Sequence, residues 1–152
     1  MDCYEKLRPF TEYETCNCPE IHGLILVFDL SPSPISCSNC RRIVDPERLG
    51  LTCEIVDSVA RWQAAFGGLY QLWLDSGEYE RWAKERMLDP QGQVNVDGIL
   101  LANQLARFRP AQYWWFHDTD DELPLKCPRC QGELQPSAKY GNVQCGPCGI
   151  LI

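Results

Sequence analysis

Two Cys-x-x-Cys turns near the end of the chain, Cys127-Pro-Arg-Cys130 and Cys145-Gly-Pro-Cys148, constrain its fold more than any other feature. Fourteen residues separate them. Each turn can bring two sulfurs to one ion while backbone N–H groups point at them. Between the turns lie Gly132, the short run Glu133-Leu134-Gln135 and a second turn at Tyr140-Gly141-Asn142. Two knuckles joined by a small hairpin read as a zinc ribbon. Cys127, Cys130, Cys145 and Cys148 fill a tetrahedral shell, so no position stays open for water or substrate and the predicted site is structural. The residue after the second cysteine of such a turn tends to positive φ, which suits Gly149. After Cys130 that place belongs to Gln131, and Gly132 comes one residue late.

Ten cysteines occur in all, and eight fall in close pairs. The N-terminal pairs, Cys16-Asn-Cys18 and Cys37-Ser-Asn-Cys40, predict a second four-cysteine zinc site. Cys-x-Cys is a tighter bite than usual, and Arg41-Arg42 follow Cys40 where a glycine would help. Spacing leaves other combinations open, such as Cys37 and Cys40 with Cys127 and Cys130. Cys3 and Cys53 stand alone and read as bystanders, Cys53 as a buried structural cysteine. The N-terminus is acidic and polar, unlike a secretory signal, and no run approaches the ~20 apolar residues of a membrane span. A cytoplasmic setting is expected, and paired cysteines in a reducing compartment favour metal over disulfides.

Along the chain, residues 1–20 form an acidic, aromatic arm. Gly23 opens an apolar run over 24–30 that reads as a buried strand. The Pro-rich loop 31–34 leads to the Cys37 knuckle, and Ile43-Val44 leave it as a short strand stopped by Asp45-Pro46. From Glu54 onward Ile55, Val59, Trp62, Phe66, Leu69 and Trp73 form one apolar stripe on a helix of roughly 20 residues. Gly67-Gly68 sits inside it and is expected to bend or break it. A second helix is predicted over 78–88 with Tyr79, Trp82, Ala83 and Met87 inward. A third is predicted to be capped by Asp97, with Leu101, Leu105 and Phe108 on one face. Tyr113-Trp114-Trp115-Phe116 reads as an aromatic strand. The expected fold is α+β: a C-terminal zinc ribbon and an N-terminal four-cysteine zinc knuckle set around a central three-helix segment. The expected divisions are 1–50, 51–110 and 111–152, packed as one unit.

With these features placed, the chain resembles a bacterial family of uncharacterised zinc-ribbon-containing proteins with a suggested nucleic-acid-binding role. The matching residues are Cys16-x-Cys18, Pro34-Ile-Ser-Cys37-x-x-Cys40, Trp62, Tyr70-Gln71-Leu72, Gly77-Glu78, Pro110, Tyr113-Trp114-Trp115, Cys127-Pro-x-Cys130 and Cys145-x-x-Cys148. The family pattern tends to carry Cys-Gly at the end of the first ribbon knuckle, where this chain has Gln131, and its members look longer at the N-terminus. The resemblance implies zinc, a C-terminal ribbon and a bacterial cytosolic setting.

Charge then weighs the functions. The net charge is −7, and eight thiolates with two Zn²⁺ take it to about −11. A polyanion repels nucleic acid and suits a basic partner. The expected function is a non-enzymatic, structural-zinc binding module for a basic protein, with inhibition of that protein one role it could serve. Trp114, Trp115 and the acidic loop 118–122 are candidate contacts. The alternative is a nucleic-acid-binding ribbon using Lys126, Arg129 and Lys139, with Arg41, Arg42 and Arg48 beside the other knuckle. Two histidines occur, His22 and His117, and no nucleophile elbow, phosphate loop or open metal site accompanies them, so no enzyme is expected. Neither a membrane partner nor a small-molecule substrate is expected.

Overall fold

The computed structural model describes residues 2–137 and 142–152. Among these described residues, six short strands form a single mixed sheet in the order β2-β1-β3-β6-β5-β4. They are β1 (Leu24–Leu26), β2 (Ile35–Cys37), β3 (Ala111–Trp114), β4 (Gln135–Pro136), β5 (Val143–Cys145) and β6 (Ile150–Leu151). The middle of the sheet is parallel: β1 pairs with β3, Leu26 opposite Tyr113, and β3 pairs with β6, Trp114 opposite Leu151. Antiparallel pairs flank it, β1 with β2 on one side and β6 with β5 on the other. Segments from both ends of the chain therefore share one sheet. The uninterrupted apolar run Leu24-Ile25-Leu26 is what a strand buried on both faces requires. Alternation sends Leu24, Leu26 and Tyr113 into the main core and Ile25, Val27 and Leu151, with Trp114, into a second cluster.

The helices form the other layer: α1 (Pro46–Leu49), α2 (Cys53–Asp75), α3 (Glu80–Leu88) and α4 (Gln93–Leu105), with an N-terminal 3-10 helix at Cys3–Leu7. Thr52 caps α2 by accepting from the Ile55 N–H at 3.3 Å. Val56, Val59, Trp62 and Phe66 are its buried stripe, while Ile55, Leu69 and Trp73 pack at the margin. The helix runs unbroken through Gly67-Gly68. A Cβ on Gly67 would stand 3.2 Å from the Phe28 ring, so its bare backbone lets that ring approach. A Cβ on Gly68 would meet nothing within 4 Å.

One buried network ties the layers. The Tyr113 hydroxyl donates to Asn95 Oδ1 at 2.8 Å, and Asn95 Nδ2 donates to the Met87 and Asp89 carbonyls, both at 2.9 Å. Burial pushes the Tyr113 phenol well above its ordinary pKa. Asn95 sits in the first turn of α4, and Gly98 one turn on leaves room for the Tyr113 ring. The indole of Trp62 donates to the Val94 carbonyl at 2.8 Å.

Several sequence expectations give way here. Helix α4 begins at Gln93 with Gly92 as its cap, one turn before Asp97. Asp97 instead accepts from the Gln93 side chain at 2.8 Å, and Phe108 lies past the helix end. Helix α3 buries Ala83 and Met87, but Tyr79 and Trp82 are each 51% exposed. The strand expected over 24–30 stops at Leu26, because the chain turns at Asp29 and Leu30 takes φ 66°. Ile43 makes only isolated bridges, to Thr15 and Ser36. The aromatic strand ends at Trp114, although the Trp115 N–H still donates to the Leu151 carbonyl at 2.8 Å. Most of the expected turn at Tyr140-Gly141-Asn142 lies outside the described residues.

Cys3 and Cys53 are not bystanders. They form a disulfide with a Cα–Cα distance of 5.6 Å, joining the N-terminal 3-10 helix to the first residue of α2.

Candidate metal centres

Strand β2 ends on Cys37 and strand β5 ends on Cys145, and each runs straight into a Cys-x-x-Cys turn. Sheet pairing therefore delivers one cysteine pair to each flank, and the remaining pairs are brought to them. Cys16, Cys18, Cys37 and Cys40 form one group, and Cys127, Cys130, Cys145 and Cys148 the other. Within each group all sulfurs lie within 4.8 Å of one another. The alternative pairing of Cys37 and Cys40 with Cys127 and Cys130 does not form.

The turns share their backbone. The Cys37 N–H donates to the Arg42 carbonyl at 2.8 Å and the Arg41 N–H donates to the Cys37 carbonyl at 2.9 Å. In the ribbon, the Cys127 N–H donates to the Gly132 carbonyl at 2.8 Å and the Gln131 N–H to the Cys127 carbonyl at 2.9 Å. The residue after the second cysteine is left-handed in all three Cys-x-x-Cys turns: Arg41 at φ 65°, Gln131 at 63° and Gly149 at 66°. Only the last is the glycine that conformation favours. Gly132 has a separate use: its N–H donates to Cys130 Sγ at 3.3 Å, and a Cβ there would crowd that sulfur.

The tighter Cys16-x-Cys18 pair is held from outside. The Cys16 N–H donates to the Ile43 carbonyl at 2.7 Å. Arg48, carried on α1, donates to the carbonyls of Cys16 at 3.2 Å and Pro19 at 3.3 Å, and also to that of Cys18. Asp45 and Gly50 cap this short helix and set the position of Arg48. From the sequence Arg48 reads as part of a basic surface, and nothing in the spacing marks it as the clamp on this pair.

The geometry and electrostatics suit a cation. A tetrahedron with metal–sulfur bonds of about 2.3 Å has sulfur–sulfur edges of about 3.8 Å, and Cys130 Sγ stands 3.7 Å from Cys145 Sγ. Burial pushes the thiols of Cys16 and Cys148 up to about 12, and those of Cys40 and Cys145 upward as well. The Gly132 N–H brings Cys130 down to about 7, and the Asn39 amide, 3.7 Å away, lowers Cys18. Four sulfurs gathered this closely, with N–H donors aimed at Cys130 and Cys18, form groups that could each hold a metal ion. Four protein ligands complete the shell, an arrangement compatible with structural zinc and without an open coordination position.

Other expected site residues fall elsewhere. Trp115 is 2% exposed and meets Tyr113 edge-on at 6.1 Å, which makes it core. Trp114 is half-buried, with the Arg41 guanidinium 4.2 Å over its ring. In the loop 118–122, Lys84 on α3 bonds Asp118 and Asp121, each at 2.8 Å. This contact holds the Asp118 carboxyl below its usual range. His22 is exposed beside Glu20, and neither histidine joins a cysteine group. Among the described residues, no helix is long and apolar enough to cross a membrane.

Comparison with protein-family models, curated proteins and solved structures returned no match for this chain.

Proposed function

We propose that the chain is a non-enzymatic binding module, held in shape by two structural zinc ions, whose partner is a basic protein. Zinc is the metal that four thiolates in a closed tetrahedral shell fit best. The cysteine framework is taken as that of the zinc-ribbon family the sequence resembles. The observation that carries the partner is the corner between α2 and α3. Leu74, Tyr79 and Trp82 are more than half exposed there, among Asp75, Glu78 and Glu80. The bases of this stretch are already paired: Lys84 with Asp118 and Asp121, Arg81 with Glu85 at 3.1 Å, and Arg86 with Asp89 at 3.6 Å. Large aromatic side chains beside carboxylates suit lysine and arginine, through cation–π contact and charge pairing. This corner replaces Trp114 and Trp115 as the contact surface, and blocking a partner's own basic surface would make the module an inhibitor.

The nucleic-acid reading ranks second. Of the basic spot beside the N-terminal knuckle, Arg48 is spent on carbonyls, Arg41 lies over Trp114, and Arg42 lies 5.2 Å over Tyr13. The proposed setting is the cytoplasm, where reduced cysteines keep their metal; the Cys3–Cys53 bridge pulls the other way.

Anisotropy titrations at ~50 mM salt test this, because electrostatic binding is strongest there. A labelled Lys/Arg-rich peptide is expected to bind, to weaken as salt rises, and to weaken again with Trp82→Ala. A labelled single-stranded oligothymidine, which carries no guanine, is expected to give no signal. Binding of the oligonucleotide without the peptide would reverse the ranking.

A further inference from the structure

The carboxyl ends of the three parallel strands β1, β3 and β6 open into one cleft of about 470 Å³. Residues that directly follow each strand line it: Phe28 and Asp29 after β1, Phe116 and His117 after β3, Ile152 after β6. Where parallel strands end, the backbone diverges and leaves a crevice, the usual place for ligands in sheets with parallel strands. The size falls within the ~300–1,000 Å³ of small-molecule sites.

A run of rings walls the cleft. Phe66 stacks on Phe28 with centroids 5.2 Å apart and an interplanar angle of 21°. Tyr70 follows at 5.2 Å from Phe28, Trp73 at 5.3 Å from Tyr70, and Phe116 at 5.0 Å from Trp73. Trp114 also lines the cleft, under the Arg41 guanidinium. Gly67 makes this wall possible by admitting the Phe28 ring against α2.

One charged pair stands among the rings. Arg41 Nη2 lies 3.9 Å from Asp29 Oδ2. Asp29 Oδ1 accepts from the Ser31 N–H at 3.2 Å and from its hydroxyl, which fixes the carboxylate. A carboxylate offers about two acceptor positions on each oxygen, so the Ser31 bonds fill Oδ1 and leave Oδ2 open beside Arg41. The two opposite charges nearly cancel, so the cleft suits a ligand with little charge of its own, as the acidic field of the whole chain also does.

We propose that this cleft binds a planar heteroaromatic ring with the edge chemistry of guanine. Such a ring stacks on the aromatic wall, gives its ring N–H to Asp29 Oδ2, and takes a guanidinium N–H from Arg41 on the adjacent carbonyl. Adenine has a bare ring nitrogen where guanine has that N–H and an amino group where guanine has the carbonyl, so its donor and acceptor are reversed against Asp29 and Arg41 and the cleft discriminates between the two. The ring can come from a free nucleoside or from a base at the end of a single strand. The site is separate from the α2–α3 corner, and the sequence does not reveal it because its lining is drawn from residues 27 to 152.

The test uses the full, metal-loaded chain and its tryptophan fluorescence, with guanosine, adenosine and a four-residue oligonucleotide carrying a terminal guanine. Guanosine is expected to quench saturably below ~1 mM and to bind at least about tenfold tighter than adenosine. Asp29→Asn, checked for an unchanged thermal melt, is expected to lose about tenfold or more of guanosine affinity. If Asp29→Asn does not fold, Tyr70→Ala replaces it, with the same loss expected from the wall. Tighter binding of the oligonucleotide assigns a strand end, and equal binding assigns a free nucleoside; both support the site. No saturable quenching, equal affinity for adenosine, or unchanged affinity in a folded variant would each overturn it.

Discussion

Three helical glycines offer a controlled test of the packing that carries the cleft and the sheet. Replacing a glycine inside a helix by alanine gains roughly 0.8–1 kcal/mol of propensity wherever it is done. The surroundings decide what else happens. At Gly68 the new Cβ meets nothing within 4 Å, so Gly68→Ala is expected to stabilise by about 1 kcal/mol. At Gly98 it would stand 2.4 Å from one Tyr113 ring carbon and 2.8 Å from the hydroxyl. Carbon atoms pack at about 3.5–4.0 Å, so the ring must move by more than about 1 Å. Overpacking costs about 1–3 kcal/mol, and losing the buried Tyr113–Asn95 bond costs about 1–3 more. After the propensity gain, Gly98→Ala is expected to destabilise by about 3 kcal/mol, a large share of the roughly 5–15 kcal/mol typical of a domain. Gly67→Ala falls between, since the Phe28 ring at 3.2 Å has to give by a few tenths of an ångström. Urea unfolding followed by tryptophan fluorescence measures all three. A Gly98→Ala protein as stable as the Gly68→Ala protein would refute the account of how α4 meets β3.

Other outcomes follow from the cysteines. A strong chelator is expected to release two metal ions per chain and to unfold at least residues 123–152, because structural zinc contributes folding free energy on the order of 10 kcal/mol; ribbon contacts that survive complete metal removal in NMR spectra would contradict this. Gln131→Gly is expected to raise stability by less than about 1 kcal/mol, because relieving the left-handed backbone after Cys130 also gives up the Gln131 amide bond to the Cys127 carbonyl; a shift in the denaturation midpoint reads it. Cys3→Ser opens a loop of 50 residues; chain entropy puts the loss at about 4 kcal/mol. Oxidised protein should show that loss in a thermal melt, and reduced wild type should match the variant.

What the sequence reveals is local. Both four-cysteine groups are readable because each is made from pairs that are neighbours in the chain, and spacing alone encodes a knuckle. The α2 stripe is readable because a period near 3.6 survives without knowledge of what it packs against. Its Gly67-Gly68 step misleads for the converse reason: Gly67 answers to Phe28, nearly forty residues away. Trp114 and Trp115 differ by one step in a strand, so opposite faces receive them, and only the sheet's register says which is core. The first turn of α4 escapes notice because its cap, Gly92, makes no side-chain bond, while Asp97 looks like a better cap than it is. Cys3 and Cys53 carry one faint sign, an even remainder once the close pairs are removed, but no spacing rule joins residues so distant.

Strand β3 has a practical bearing on how the protein can be taken apart. Its two neighbours, β1 and β6, come from opposite ends of the chain, and its tyrosine is bolted to α4 in between. No cut near residue 50 or 110 frees a piece that keeps its own hydrogen-bonding partners; each half would bare a raw sheet margin. Anyone wanting one cysteine cluster in isolation should expect an insoluble fragment, and should supply the missing length in trans to recover it.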